Sequence, residues 1–408
     1  MNQNIPSDLI LILNSKAKQA AKEGRKVVNG TIGMMSLDDG SLPLNQLIRD
    51  TLGRHTEDND LIYSSVAGEE GYRTKLLSWF FEDALKEAEK NGNACTVATM
   101  GGTGALALAF KDGASDTKAG ILLPRLSWPN YYAQASLFTD QVAFYQNYDE
   151  KGGFHIRDVE EKIQSLLERK ERLLLVVNDP CENPTGYCLS AEEWKALVDL
   201  LNAYHGKVRL ILDSAYIDYA GAGTKKLIAD SLLSLSPEVL TYICLSFSKT
   251  FSLYGLRIGA LTLFSMDSSK SKAAFQAACK SARTLWSTGN HMAMNAVEDL
   301  LSREETVQEL RKEVQRNREI VKNRAQIFCA EAESCSLSFY PYRFGFYLSL
   351  PCSDALSLST QLMTKDIYLS PVASDVLRVA LCCIPTPQVP GLARTIKEAE
   401  ESLSSAQN

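Results

Sequence analysis

Histidine is scarce in this chain of 408 residues, which has only 4. A metal site built on imidazole therefore has few ligands to draw on. Long apolar runs are missing too: Leu9 to Leu13 is typical of the longest, and a bilayer needs ~20 consecutive apolar residues. No basic stretch followed by an apolar one opens the sequence, so nothing suggests export. None of the 10 cysteines stands in CxxC spacing; scattered in this way, they read as reduced thiols of a cytosolic protein. Positive charge is not in excess. Lys+Arg 43 against Asp+Glu 49 leaves a net −6, which argues against a nucleic-acid footprint. Internal repeats, low-complexity tracts and Pro/Gly-rich linkers are also absent. What remains is an ordinary globular composition, 45% hydrophobic and 23% charged, sized for two or three domains or one large α/β unit with a smaller partner. The expectation is a soluble cytosolic protein that acts on a small molecule.

The middle of the chain alternates. Thr96 to Met100 reads as a strand, Gly101–Gly104 as a turn and Ala105 onward as a helix. Arg172 to Val177 reads as a buried strand, and Ser190-Ala191-Glu192-Glu193 as a capping box opening a helix with Trp194, Leu197, Val198 and Leu201 on its apolar stripe. Val208 to Leu212 and Tyr242 to Leu245 are further strands. Strands alternating with helices imply βαβ units and a largely parallel sheet, with sites at the strands' carboxyl ends. From Ser302 the texture changes. Arg303 to Ala332 is long, charged and helical in period, and Phe344 to Leu350 and Val376 to Leu381 read as short strands of a smaller α+β domain. The segment up to Leu44 shows no strand–helix alternation.

Several short segments carry chemistry, most of them where a strand ends. Gly101-Gly102-Thr103-Gly104 suits either phosphate binding at a helix N-terminus or close packing alone. Asn183-Pro184-Thr185-Gly186 is at least a turn. Asp213 ends its strand and reads as a solvated cap, a metal ligand or a charge partner; no His or second carboxylate lies at ligand spacing. Ser246-Phe247-Ser248-Lys249 is followed by Tyr254, Arg257 and Gly259. Hydroxyls, a lysine and an arginine in so short a span can surround a phosphate and leave an amine free. A lysine beside cations and low-dielectric walls loses proton affinity and becomes a Schiff-base former. A phosphate cradle, an amine nucleophile and a carboxylate at neighbouring strand ends describe a pyridoxal-phosphate site.

With these segments in place the chain resembles the class I, fold-type I pyridoxal-phosphate aminotransferases, and most nearly the aspartate/aromatic aminotransferase group. The likeness runs from Gly33 to Arg378 and includes Ser127-Trp128-Pro129-Asn130, Asp213-Ser214-Ala215-Tyr216 and Leu253-Tyr254-Gly255-Leu256-Arg257-Ile258-Gly259. The resemblance implies an α/β fold: a large domain with a mostly parallel, seven-stranded-type sheet flanked by helices, plus a smaller α+β domain. The division would be an N-terminal segment, 1–44, packing with the small domain, a pyridoxal-phosphate-binding domain, 45–300, and a small C-terminal domain, 301–408.

The resemblance also implies roles. Lys249 would hold the cofactor as an internal aldimine and then move the proton between Cα and C4′. Asp213 would pair with the pyridinium nitrogen, Asn183 and Tyr216 with the phenolate oxygen, and Trp128 would stack on the ring. Gly102, Thr103, Ser246, Ser248 and Arg257 would bind the phosphate, with Tyr63 reaching in from a neighbouring subunit of a homodimer with shared sites. Arg378 matches the arginine that grips the substrate α-carboxylate, where a guanidinium fork suits both oxygens. Gly33 matches the glycine beside that carboxylate, on a segment that would close over substrate. Arg283, 34 positions after Lys249 (283 − 249), matches the arginine that binds a dicarboxylate side chain across the dimer; with Lys280 it equally suits a solvated helix face.

Departures fall behind the cofactor aspartate. Tyr131 and Asn178 stand where the nearest relatives carry histidines, and a tyrosine hydroxyl is expected to replace part of that support. Met34-Met35 and Gly345-Phe346-Tyr347 alter the pocket wall. The reaction implied is transamination between an amino acid (aspartate, glutamate or aromatic) and a 2-oxo acid such as 2-oxoglutarate. A pyridoxal-phosphate lyase or synthase on the same fold is the alternative. A cofactor-sensing regulator would need a DNA-binding module, for which the residues before Gly33 are too few, and a dead paralogue would not keep both Lys249 and Asp213. No nucleic-acid or membrane partner is expected.

Overall fold

The computed structural model describes residues 9–114 and 118–407. The chain opens with helix α1 (Leu9–Lys22) and a three-residue strand, β1 (Val28–Gly30). Seven strands then build the larger sheet: β2 (Ala94–Met100), β3 (Ala119–Pro124), β4 (Val142–Tyr145), β5 (Arg172–Asn178), β6 (Val208–Asp213), β7 (Thr241–Ser246) and β8 (Ile258–Phe264). Their spatial order is β2-β8-β7-β6-β5-β3-β4. Only β8 runs against its neighbours; the pairs from β7 through β4 are parallel.

The central strands are apolar at successive positions because both faces of the sheet are covered. In β5, Leu173, Leu175 and Val177 join one core cluster, while Leu174 and Val176 join the cluster on the opposite face. Helices between the strands supply the cover, namely α2 (Gly101–Ala114), the short α3 (Asn130–Ala135), α4 (Ala191–Ala203) and α5 (Ser268–Leu285). The start of α4 bears the expected reciprocal cap: Ser190 accepts from Glu193 N–H, and the Glu193 carboxylate accepts from Ser190 N–H. The start of α2 differs from expectation. Gly101–Gly104 is the helix's first turn and not a separate turn before it; Gly101, at φ 67°, alone takes the left-handed link from β2 that a side chain would resist.

Beyond α5, the 31-residue helix α6 (Glu304–Ser334) leads into a second sheet made by β9 (Tyr347–Pro351), β10 (Ile367–Ala373) and β11 (Val376–Ala380), with helices α7 (Ala355–Met363) and α8 (Leu392–Gln407). The order β1-β10-β11-β9 makes the N-terminal strand an edge of this C-terminal sheet, Val28 opposite Ile367. The first 44 residues therefore do contain a helix and a strand; three residues of β1 are too few to show a period in sequence. Strand β9 also starts later than Phe344, because Gly345 holds φ 102°, outside the extended region.

A fully buried arginine on α6 ties the two ends of the chain together. Arg324 donates to Cys382 O at 2.8 Å, Ser36 O at 2.9 Å and Asp38 Oδ1 at 2.8 Å. All ten cysteines are free thiols. Among the described residues no helix is long and apolar enough to cross a membrane.

Candidate active site

Parallel strands point their carboxyl ends at one cavity of about 690 Å³, where the chain leaves each strand for a helix or loop. Twelve of the fourteen residues singled out by sequence line it: Gly33, Gly102, Thr103, Trp128, Asn183, Asp213, Tyr216, Ser246, Ser248, Lys249, Arg257 and Arg378. Tyr63 and Arg283 lie outside. Tyr63 is 87% exposed, and Arg283, exposed in the last turn of α5, donates to Ser287 Oγ.

Ser246 closes β7 and caps the short turn Phe247–Thr250 by accepting from Ser248 N–H at 3.2 Å. That turn presents Lys249, whose Nζ donates to Gly33 O and lies 5.0 Å from the Tyr254 ring centre. Burial disfavours the ammonium, the Arg378 and Arg257 charges oppose it as well, and despite attraction from Cys382 and Asp213 the lysine pKa falls to about 8.

Asp213, the last residue of β6, is buried, and desolvation raises its pKa against the hydrogen bonds that favour its charge. Its Oδ2 accepts from the Tyr131 hydroxyl at 2.6 Å and its Oδ1 from Ala215 N–H at 3.1 Å. The tyrosine hydroxyl expected to support Asp213 thus reaches it. Asn178 works through the backbone: its amide donates to Asp213 O, and its Oδ1 accepts from Asn183 N–H, both at 2.8 Å.

The half of the cavity that could hold an anion is built on α2. Gly102 and Thr103 sit in its first turn, where unpaired N–H groups and the helix dipole favour negative charge. Arg257 reaches the same spot, donating to Ser248 Oγ at 3.2 Å and Tyr254 O at 2.9 Å. A Cβ on Gly101 would lie 2.7 Å from its guanidinium, so glycine there lets the arginine approach the helix end.

At the opposite wall Arg378, central in β11 and 2% exposed, donates to Asn183 Oδ1 at 3.0 Å and Thr31 O at 2.6 Å. Its Nε is buried with no hydrogen-bond partner among the described residues. The guanidinium stacks 4.4 Å from the Tyr347 ring, and the Tyr347 hydroxyl lies 3.1 Å from that of Tyr216. Gly33 has to be glycine here because a Cβ would stand 1.5 Å from the Tyr347 hydroxyl.

Sequence reasoning missed Ile10, Leu11 and Ile32, which line the cavity. The run Leu9 to Leu13 holds the only signal: Leu11 and Ile12 stay 60% and 42% exposed, more apolar surface than a packed amphipathic helix leaves open.

A mostly parallel α/β sheet whose strand ends bring an amine of lowered pKa, a buried carboxylate and a helix N-terminus to one cavity, faced by an arginine of the smaller sheet, has the architecture of an enzyme active site. The chain belongs to the aminotransferase class I and II family, whose sequence profile matches residues 25–396. It is 26% identical to an aspartate aminotransferase of Haemophilus influenzae over 79% of this chain and 80% of that one. It is 28% identical to an aromatic-amino-acid aminotransferase of Escherichia coli over 64% of each. An aminotransferase crystal structure from Anaerococcus prevotii superimposes with a TM-score of 0.91 at 27% identity, over 98% of both chains.

Proposed function

We propose that this enzyme moves an amino group between an L-amino acid (aspartate, glutamate or an aromatic one) and a 2-oxo acid such as 2-oxoglutarate, using pyridoxal phosphate bonded to Lys249. The carrying observation is the buried, unpartnered Nε of Arg378 in the same cavity as Lys249, Asp213 and the α2 cradle. A fork with a free donor fits a carboxylate. The cradle fits a phosphate dianion, because a Cβ on Gly102 would stand 3.4 Å from Ser246 Cβ and narrow it. Asp213 fits a cationic ring nitrogen, and Lys249, with its pKa near 8, fits a carbonyl-reactive amine.

When bound, the cofactor's protonated ring withdraws the electron pair left at the substrate Cα. The protein does the rest. Arg378 fixes the α-carboxylate and so the direction of the Cα–H bond. Lys249 Nζ would take that proton and return it two atoms away, on the carbon beyond the intervening nitrogen. Asp213 would pair with the ring nitrogen, Asn183 and Tyr216 would donate to the ring oxygen, and Trp128 would stack on the ring. Gly102, Thr103, Ser246, Ser248 and Arg257 hold the phosphate. Tyr63 and Arg283, both exposed in the single chain, act on the site of the second subunit in a homodimer, Tyr63 on the phosphate and Arg283 on a distal carboxylate.

The test is a set of half-reactions. Purified holoenzyme is mixed separately with glutamate, aspartate, tyrosine and alanine while the cofactor absorbance is followed. Rapid loss of the Lys249-bound form with the dicarboxylates or with tyrosine is the expected result, absent in Lys249→Ala. No conversion with any of the four refutes transamination.

A further inference from the structure

We propose that Tyr131 is a positioning residue that sets how strongly Asp213 holds a proton, and through it how strongly the bound cofactor withdraws electrons. The inference rests on the pyridoxal-phosphate reading above. Tyr131 is 1% exposed on the short helix α3, eighty-two residues from Asp213 in sequence, yet its hydroxyl lies 2.6 Å from Asp213 Oδ2. Its ring meets Trp128 edge-on, with centroids 6.0 Å apart, and its N–H donates to Trp128 O. The start of one short helix and the residues just before it thus hold both Trp128 and the carboxylate's hydrogen-bond donor.

The chemistry of the donor matters. Burial and the neighbouring Asp213 charge push the Tyr131 phenol well above its ordinary range, so its proton stays on oxygen and is always available for donation. The other titratable groups facing Asp213 are Lys249, Tyr216 and Cys244, the last paired with it across β6 and β7. Burial holds the Tyr216 phenol and the Cys244 thiol well above their ordinary ranges, so both stay neutral. Asp213 therefore receives one neutral donor on each oxygen, Ala215 N–H and Tyr131 O–H. A neutral clamp orients the carboxylate and spreads its charge without cancelling it. Both donors lower the basicity of Asp213, so a proton shared between it and the cofactor's ring nitrogen would stay on the ring.

The experiment compares wild-type holoenzyme with Tyr131→Phe, which keeps the ring and removes one oxygen. Without the donor Asp213 is more basic and draws the ring proton toward itself, so the ring withdraws less and the nitrogen joining Lys249 to the cofactor keeps its proton to higher pH. The absorbance midpoint in a pH titration should rise by about half a unit or more, and kcat should fall about tenfold with little change in KM, the loss expected for one hydrogen bond to a charged group. Tyr131→His, which restores a donor, should bring the midpoint back toward wild type above pH 7.5 and add a second inflection where imidazole ionises. It also serves if Tyr131→Phe fails to fold. A midpoint unchanged in Tyr131→Phe, or a single wild-type midpoint in Tyr131→His at every pH, overturns the proposal even if thermal stability drops. Absence of any cofactor absorbance in wild type overturns the functional reading itself, whereas absorbance with an unmoved midpoint overturns only the role of Tyr131.

Discussion

Raising the pH over the cofactor-free protein should switch on the Lys249 amine with a midpoint of about 8, far below the 10.5 of a free lysine. Burial is the main cause, with the Arg378 and Arg257 charges adding to it. At pH 7 an amine with a pKa near 8 is about 10% neutral, against about 0.03% for a free lysine, so reactivity toward a carbonyl rises roughly 300-fold. The assay is competitive labelling of the cofactor-free protein between pH 6 and 11, read on the Lys249 peptide, with Lys249→Met confirming its identity. The same shift has a stability consequence. Folding lowers this base's pKa, so between about 8 and 10.5 the unfolded chain binds more protons than the folded one and stability rises with pH. The drop converts to about 3 kcal/mol. Lys249→Met should thus be more stable than wild type by about that amount below pH 8, with the gap closing toward pH 10.5 in denaturant titrations. A labelling midpoint near 10.5, or a stability gap independent of pH, would refute the reasoning.

Arg378→Ala should raise KM for every amino acid about 10- to 100-fold, the worth of a charge-assisted fork; an unchanged KM in steady-state kinetics places the carboxylate elsewhere. Asp213→Ala should cost about 3 kcal/mol or more of transition-state stabilisation, and unaltered single-turnover rates would sink that assignment. Arg283→Ala should hurt dicarboxylic substrates far more than aromatic ones, so equal losses in kcat/KM count against a distal-carboxylate role. Gly33→Ala should displace Tyr347 from Tyr216 and Arg378, because the added carbon falls 1.5 Å from the Tyr347 hydroxyl. Near-normal kcat/KM in that variant would show that the Gly33 segment yields easily.

Much of the fold and site was legible because each signal is local. The continuous apolar runs of β5, β6 and β7 follow from cover on both faces, and the Ser190–Glu193 cap is written within four residues. The lysine, the aspartate and the glycines that open α2 stand at strand ends, where residue type and short spacing mark them. The Gly101 turn was misplaced because one residue in the left-handed region followed at once by helix looks, in sequence, like four small loop residues. One part of the cavity wall left only a faint trace, the apolar run Leu9 to Leu13. Ile10 and Leu11 reach it only because β1 lies beside β10 and Arg324 binds Ser36 and Asp38.

By itself the sequence determined the α/β class, the positions of the nucleophile, carboxylate and anion cradle, and the departures at Tyr131 and Asn178, since each depends on residue type and short spacing. Only the tertiary structure decided that Tyr131 donates to Asp213, that Tyr347 occupies the space left by Gly33, and that Arg378 keeps a buried donor without a partner among the described residues. These are contacts between segments far apart in the chain, and no local pattern specifies them; they follow from how the sheets and helices pack against one another.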